Sequence, residues 1–147
     1  MAVDPILLCS SSLFVIPMTY AAYHECWYIY ASFALLLVTS VAFHSSKNEI
    51  IMRIDQASIV HIVIVSIIAG YQLDRMWVAV VGTGWAIYVY CYGYMKNTMA
   101  FSPSYIESRI YHATTHLVIS GGWIYGVSLI RSLEAAMKEA MPSIEAS

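Results

Sequence analysis

Five apolar runs, broken by short polar interruptions, set the reading of this chain. They extend from about Ile6 to Tyr23, Cys26 to His44, Ile54 to Leu73, Met76 to Met95 and Ile110 to Arg131. Each is near the ~20 residues that cross ~30 Å of hydrocarbon as an α-helix. The runs are too long for strands, and no alternating pattern supports a barrel. The pattern predicts an all-α integral membrane bundle of about five transmembrane helices. Residues 1–147 form one domain, with a polar tail over 132–147. Pro17 predicts a kink in the first helix. His24 with Glu25, and Asp74 with Arg75, mark tight turns. The polar stretch Ser45 to Arg53 reads as a loop, after which Asp55 opens the third helix. Lys96 to Arg109 is the longest connection and holds Pro103. In the tail, Glu134 and Lys138 form an i,i+4 pair, and Pro142 stops any helix.

Composition strengthens this picture. The chain is 60% hydrophobic and 11% charged, against about 25% charged residues in soluble domains. Its net charge of −2 and the absence of a Lys/Arg run exclude nucleic acid as an expected partner. Cys9, Cys26 and Cys91 lie in or beside apolar runs without CxxC spacing, so they read as small hydrophobes. Asp4 and Pro5 stand where a signal peptide would carry Lys or Arg, which predicts that the first run is a retained helix. Orientation is not set by charge. Lys47, Arg53, Lys96 and Arg109 fall on the N-terminal side, and Arg75, Arg131 and Lys138 on the other.

Polar residues inside these runs carry the candidate chemistry. Ser40 and His44 stand four apart on the second helix, and His112 and His116 four apart on the fifth. Residues at that spacing share a helix face. With five spans, the end of the second helix and the starts of the third and fifth share one membrane side. His44, Asp55 and His112 therefore meet near one face, and Ser40 and His116 lie about 6 Å deeper than their partners. Three imidazoles with one open position suit a catalytic zinc ion. Bound zinc lowers the pKa of water to about 7 and polarises a carbonyl. Asp55 is placed to act as general base. Ser40 would hydrogen-bond Asp55 or a developing oxyanion. Ionisable groups within a membrane are functional candidates by default. His61, about 9 Å deeper than Asp55 and turned away, reads as a packing residue, and His24 lies at the opposite face. Gly122 and Gly126 form a GxxxG pair, which reads as helix packing. The tyrosines and tryptophans read as interfacial belts and bundle interior.

The residues Ser40-Val-Ala-Phe-His44, Asp55 eleven positions later, and His112-Ala-Thr-Thr-His116 resemble the CREST membrane hydrolase superfamily. That superfamily joins alkaline ceramidases, adiponectin and progestin receptors, hemolysin-III-like proteins and lipid-remodelling enzymes. The resemblance implies zinc held by His44, His112 and His116, with Asp55 and Ser40 holding or activating the water. The eleven-residue interval, Phe43-His44 and Ala113 are most similar to alkaline ceramidases. Arg53 to Ile59 looks more like the receptor and hemolysin-III branch. Family members usually have seven helices. Here two spans are missing between the third helix and the last, an even loss that keeps the motifs on one face. The loss also removes walls of the family's lipid pocket. Self-association to rebuild them, a different substrate, and lost activity all stay open.

Three functions compete. The first is a zinc-dependent lipid amidase or esterase, with a ceramide-like membrane lipid as substrate. The second is a receptor or membrane-remodelling protein on the same scaffold, with structural zinc. The third is a haem-binding bundle using two of His44, His61, His112 and His116 as axial ligands.

Overall fold

The computed structural model describes residues 4–46, 48–72 and 74–140. The apolar runs form five helices: α1 (Pro5–Tyr23), α2 (Trp27–Ser46), α3 (Glu49–Gln72), α4 (Met76–Lys96) and α5 (Tyr105–Ala140). No strand occurs among the described residues, and all five helices are long and apolar enough to cross a membrane. Each packs on the next, and α5 returns to α1, so the bundle closes as a ring. Its outer face is apolar: Ile16, Val38, Val60, Ile64, Trp77 and Val80 are all exposed. Only 17% of the spanning stretch of α3, and the same of α4, is buried. Exposed apolar surface on that scale suits lipid rather than water.

Helix α1 is interrupted where its proline dictates. A 3₁₀ turn over Ser12–Phe14 separates α-helical Pro5–Ser11 from Val15–Tyr23. Pro17 has no N–H for the carbonyl of Leu13, and its ring crowds that carbonyl. The irregularity therefore falls one turn before the proline.

Two helices start earlier than polarity alone predicts, and each has a cap. The stretch Glu49–Arg53 is helix, not loop, because the side-chain oxygen of Asn48 accepts from the backbone N–H of Ile50 at 2.8 Å and of Ile51 at 3.3 Å. Asp55 therefore sits six residues inside α3 instead of opening it. Likewise α5 begins at Tyr105, not near Ile110. Ser104 accepts from the N–H of Glu107 at 3.4 Å, the spacing of a capping box. At its other end α5 runs on through Ala140, so the tail is helical that far. Pro142 lies outside the described residues.

The α4–α5 connection folds back against α4. Asn97 ends the helix with φ 53°, a left-handed conformation that Asn tolerates. A Cβ on Gly93 would stand 2.8 Å from the Thr98 carbonyl, so only glycine permits this approach. The return packs Phe101 edge-on against Tyr90, with ring centroids 6.1 Å apart. Toward the opposite face the ring interior is apolar. Phe14, Ile29, Phe33, Leu36, Ile62, Trp123 and Val127 are buried there together.

Candidate metal centre

Two helices bring the sequence's histidines together. His44 comes from the last turn of α2, and His112 and His116 from successive turns of α5. Their ring centroids are 5.1 Å (His44–His112), 6.3 Å (His44–His116) and 4.8 Å (His112–His116) apart. One nitrogen from each can be chosen so that all three lie within 4.8 Å of one another. Nitrogens that share one tetrahedral zinc at ~2.0–2.1 Å lie about 3.4 Å apart. Closing on an ion would draw the three nitrogens together by up to about 1.4 Å, through side-chain rotation. The donor set is three imidazoles with His44 and His116 buried, which fits a borderline-soft divalent ion such as zinc.

Hydrogen bonding orients one candidate ligand. Ser10 Oγ donates its single proton to the Leu7 carbonyl at 3.0 Å. It must then accept from His116 Nδ1, which lies 3.0 Å away. That leaves Nε2 of His116 as the nitrogen with a lone pair. Such an outer partner orients a metal-binding imidazole. Phe14 packs on the same ring at 4.7 Å. Helix α1, to which the sequence assigned no role, thus supports the centre.

Asp55 of α3 and Ser40 of α2 are both buried, and each has a hydrogen-bond partner other than the other. The Asp55 carboxylate accepts from Thr39 at 3.1 Å. Ser40 instead faces Ser11, at 3.1 Å. Ser11 already gives its proton to the Leu7 carbonyl at 2.8 Å. Ser40 is therefore the donor of that pair, and its proton is committed to α1. A second hydroxyl beside the histidines belongs to Tyr90 of α4, 3.0 Å from His112 Nδ1 and 3.3 Å from its Nε2.

The remaining histidines stand apart. His61 donates from Nε2 to Ser32 at 3.0 Å, because the Ser32 proton goes to the Tyr28 carbonyl at 2.8 Å. His24 packs edge-on against Tyr20 and Tyr23 at the far end of α1.

Thr39, Ser10, Ser11 and Tyr90 are the polar neighbours that sequence reading passed over. Topology gives the membrane side of three of them and no more. Ser10 and Ser11 sit two turns into α1 on the same membrane side as His44, and Tyr90 lies six residues from the end of α4 on that side.

Fold and site together define a ring of five membrane-length helices around a histidine triad of which His44 and His116 are buried. No family model matches the chain, and neither a curated protein nor a solved structure matches it.

Proposed function

We propose that this chain is a zinc-dependent intramembrane lipid hydrolase, an amidase that cleaves ceramide-like lipids to a fatty acid and a sphingoid base. The observation that carries the reading is the convergence of His44 with His112 and His116, with Asp55 buried on the neighbouring helix. The CREST-like spacing of the same residues supports it independently. A haem is disfavoured because each of the three rings packs within 6.3 Å of the others, which leaves no slot for a porphyrin.

His44, His112 and His116 would hold the ion. Bound zinc supplies Lewis acidity at the carbonyl and lowers the pKa of water to about 7. Asp55 accepts a proton from the attacking water and returns it to the departing nitrogen. Thr39 occupies one of several acceptor positions on that carboxylate, so it orients Asp55 without exhausting it.

A lipid substrate is supported by an open, apolar groove between α3, α4 and α5. Its walls include Ile59, Gly70, Gly82, Ala86, Ile119 and Gly122. A Cβ added at Gly82 or Gly122 would meet no atom within 4 Å, so these glycines make space. Gly126 of the GxxxG pair would meet only its own neighbour Trp123, at 3.7 Å. The pair therefore opens a groove and draws no helix close. The groove stops one turn short of the chemistry. Ile59 follows Asp55 by four residues, and Ile119 follows His116 by three. An acyl chain lying there would leave its amide beneath the histidines.

Elemental analysis of the purified protein, with fatty-acid release from ceramide measured with and without chelator, tests the reading. One zinc per chain and chelator-sensitive release are expected. Chelator-insensitive release would overturn the mechanism. Bound zinc with no release from any ceramide or ester lipid would replace it with a scaffold role, and a strong Soret band with a haem protein.

A further inference from the structure

We propose that Tyr90 is a further catalytic residue, whose hydroxyl donates a hydrogen bond to the oxygen of the scissile carbonyl as charge develops on it. This rests on the hydrolase reading above. Four observations lead to it. The residue sits in a π-helical turn, Tyr88–Tyr92, the one break in the α-helical course of α4. Such turns cost regular hydrogen bonding and occur frequently at functional sites. Next, the Tyr90 oxygen lies 3.0 and 3.3 Å from the two nitrogens of His112. It therefore borders the ring edge between them and stays beside the ligand nitrogen whichever one binds. Third, Ser40 gives its proton to Ser11, which leaves the centre without its expected hydroxyl donor. Last, Tyr90 is one turn above Ala86, at the end of the groove nearest the histidines. Its neighbours Tyr88, Tyr92 and Tyr94 are exposed on the outside of α4, so the inward placement is particular to Tyr90.

The chemistry balances without an added reagent. The water oxygen bonds to the carbonyl carbon, and the C–N bond breaks. The water proton passes through Asp55 to the nitrogen. Tyr90 keeps its own proton throughout and only shares it with the oxygen.

The bland alternative is that Tyr90 merely orients His112. Tyr90→Phe separates the two, since it keeps ring packing against Phe101 and removes only the oxygen. A catalytic donor predicts a kcat lower by ~10²–10³-fold, the usual loss for one oxyanion donor. KM for ceramide in phosphatidylcholine vesicles and zinc affinity should stay within about threefold of wild type. An orienting role predicts zinc affinity weaker by ~10–100-fold, with turnover restored by excess zinc. That result, or unchanged kcat in an active wild-type background, would overturn the proposal and leave the hydrolase reading standing. A wild type that binds zinc and releases no fatty acid would remove both. Should the Phe variant lose its thermal transition in detergent, Tyr90 would be a folding residue, and the proposal would fall.

Discussion

The two halves of the ring interior are equally buried and built from opposite materials. Toward the face that holds the α2–α3 and α4–α5 connections, the interior carries Ser10, Ser11, Thr39, Ser40, His44, Asp55 and His116. Toward the other face it carries Ile29, Phe33, Trp123 and Val127, with Phe33 and Trp123 edge-to-face at 6.0 Å. The apolar half needs no explanation beyond packing, since lipid-solvated helices associate through close contact and a few hydrogen bonds. Trp123 makes one such bond, to Ser66 at 3.0 Å. The polar half is costly in a membrane unless its groups satisfy one another. It does so through short pairs: Ser10 with His116, Ser11 with Ser40, Thr39 with Asp55. Packing alone fills the apolar half, so the polar level is the part on which the proposed function rests.

The sharpest way to break this comparison is to remove one ligand. His116→Ala should abolish zinc retention, because the remaining two histidines rarely hold a catalytic ion. The apolar half should stay folded, so the far-ultraviolet dichroism should change little. Full zinc occupancy in the variant would sink the centre.

Next in size is the base. Asp55→Asn should keep zinc and lose ~10²–10⁴-fold in fatty-acid release, because an amide cannot take the water proton. Ser40→Ala should cost far less, below about tenfold. Its proton is spent on Ser11, and one hydrogen bond is worth roughly 1 kcal/mol. Equal losses in both variants would place Ser40 back at the reacting atoms.

A third change acts on the groove and spares the centre. The site of a Cβ at Gly122 is open, so Gly122→Leu should fill the groove without a clash. KM for long-chain amides should rise ~10-fold or more, in the range that one or two methylenes command in an apolar pocket. Short-chain amides and zinc content should be unaffected. An equal loss for both chain lengths would mean that the groove does not hold the acyl chain.

The same contrast explains what was legible in the sequence. The five helices were, because about twenty apolar residues in a row have few other solutions. The histidine triad was also legible, since i,i+4 spacing and span parity place His44, His112 and His116 without any knowledge of packing. Their hydroxyl partners were not. Serine and threonine in an apolar helix usually bond to the carbonyl a turn back, and nothing local separates Ser11 and Thr39 from Ser45, which does only that. Pairing of Thr39 with Asp55 depends on how α2 rotates against α3, a tertiary fact. Tyr90 was hidden among tyrosines that face outward, and no sequence period announces a π turn. The helix starts were missed for a simpler reason. Glu49 and Arg53 read as loop by polarity, although Asn48 is a strong cap.

The smallest expected effect lies at the rim of the polar half. Asp4 caps α1 by accepting from the Leu7 N–H at 3.3 Å, and it pairs with Arg109 of α5. Arg109 also lies over the Tyr105 ring, 4.9 Å from its centroid, and precedes His112 by three residues. The pair thus pins the start of α1, which carries Ser10 and Ser11, to the helix that carries His112 and His116. Burial alone would raise the Asp4 carboxyl pKa. The Leu7 N–H and the Arg109 guanidinium more than offset it and hold the value below the usual carboxylate range. A depressed native value means stability that is complete above the unfolded value, near ~3.9, and lost as pH falls through the native one. The contribution should therefore be flat at neutral pH and fade only below about pH 4. Asp4→Asn isolates the charge, since Asn caps as well as Asp. It should lower stability in detergent by about 1 kcal/mol at pH 7, as a partly exposed ion pair is worth little. Arg109→Gln should cost a similar amount, and the double variant less than the sum. A loss from Asp4→Asn that persists undiminished at pH 3 would show that the pair is not its source.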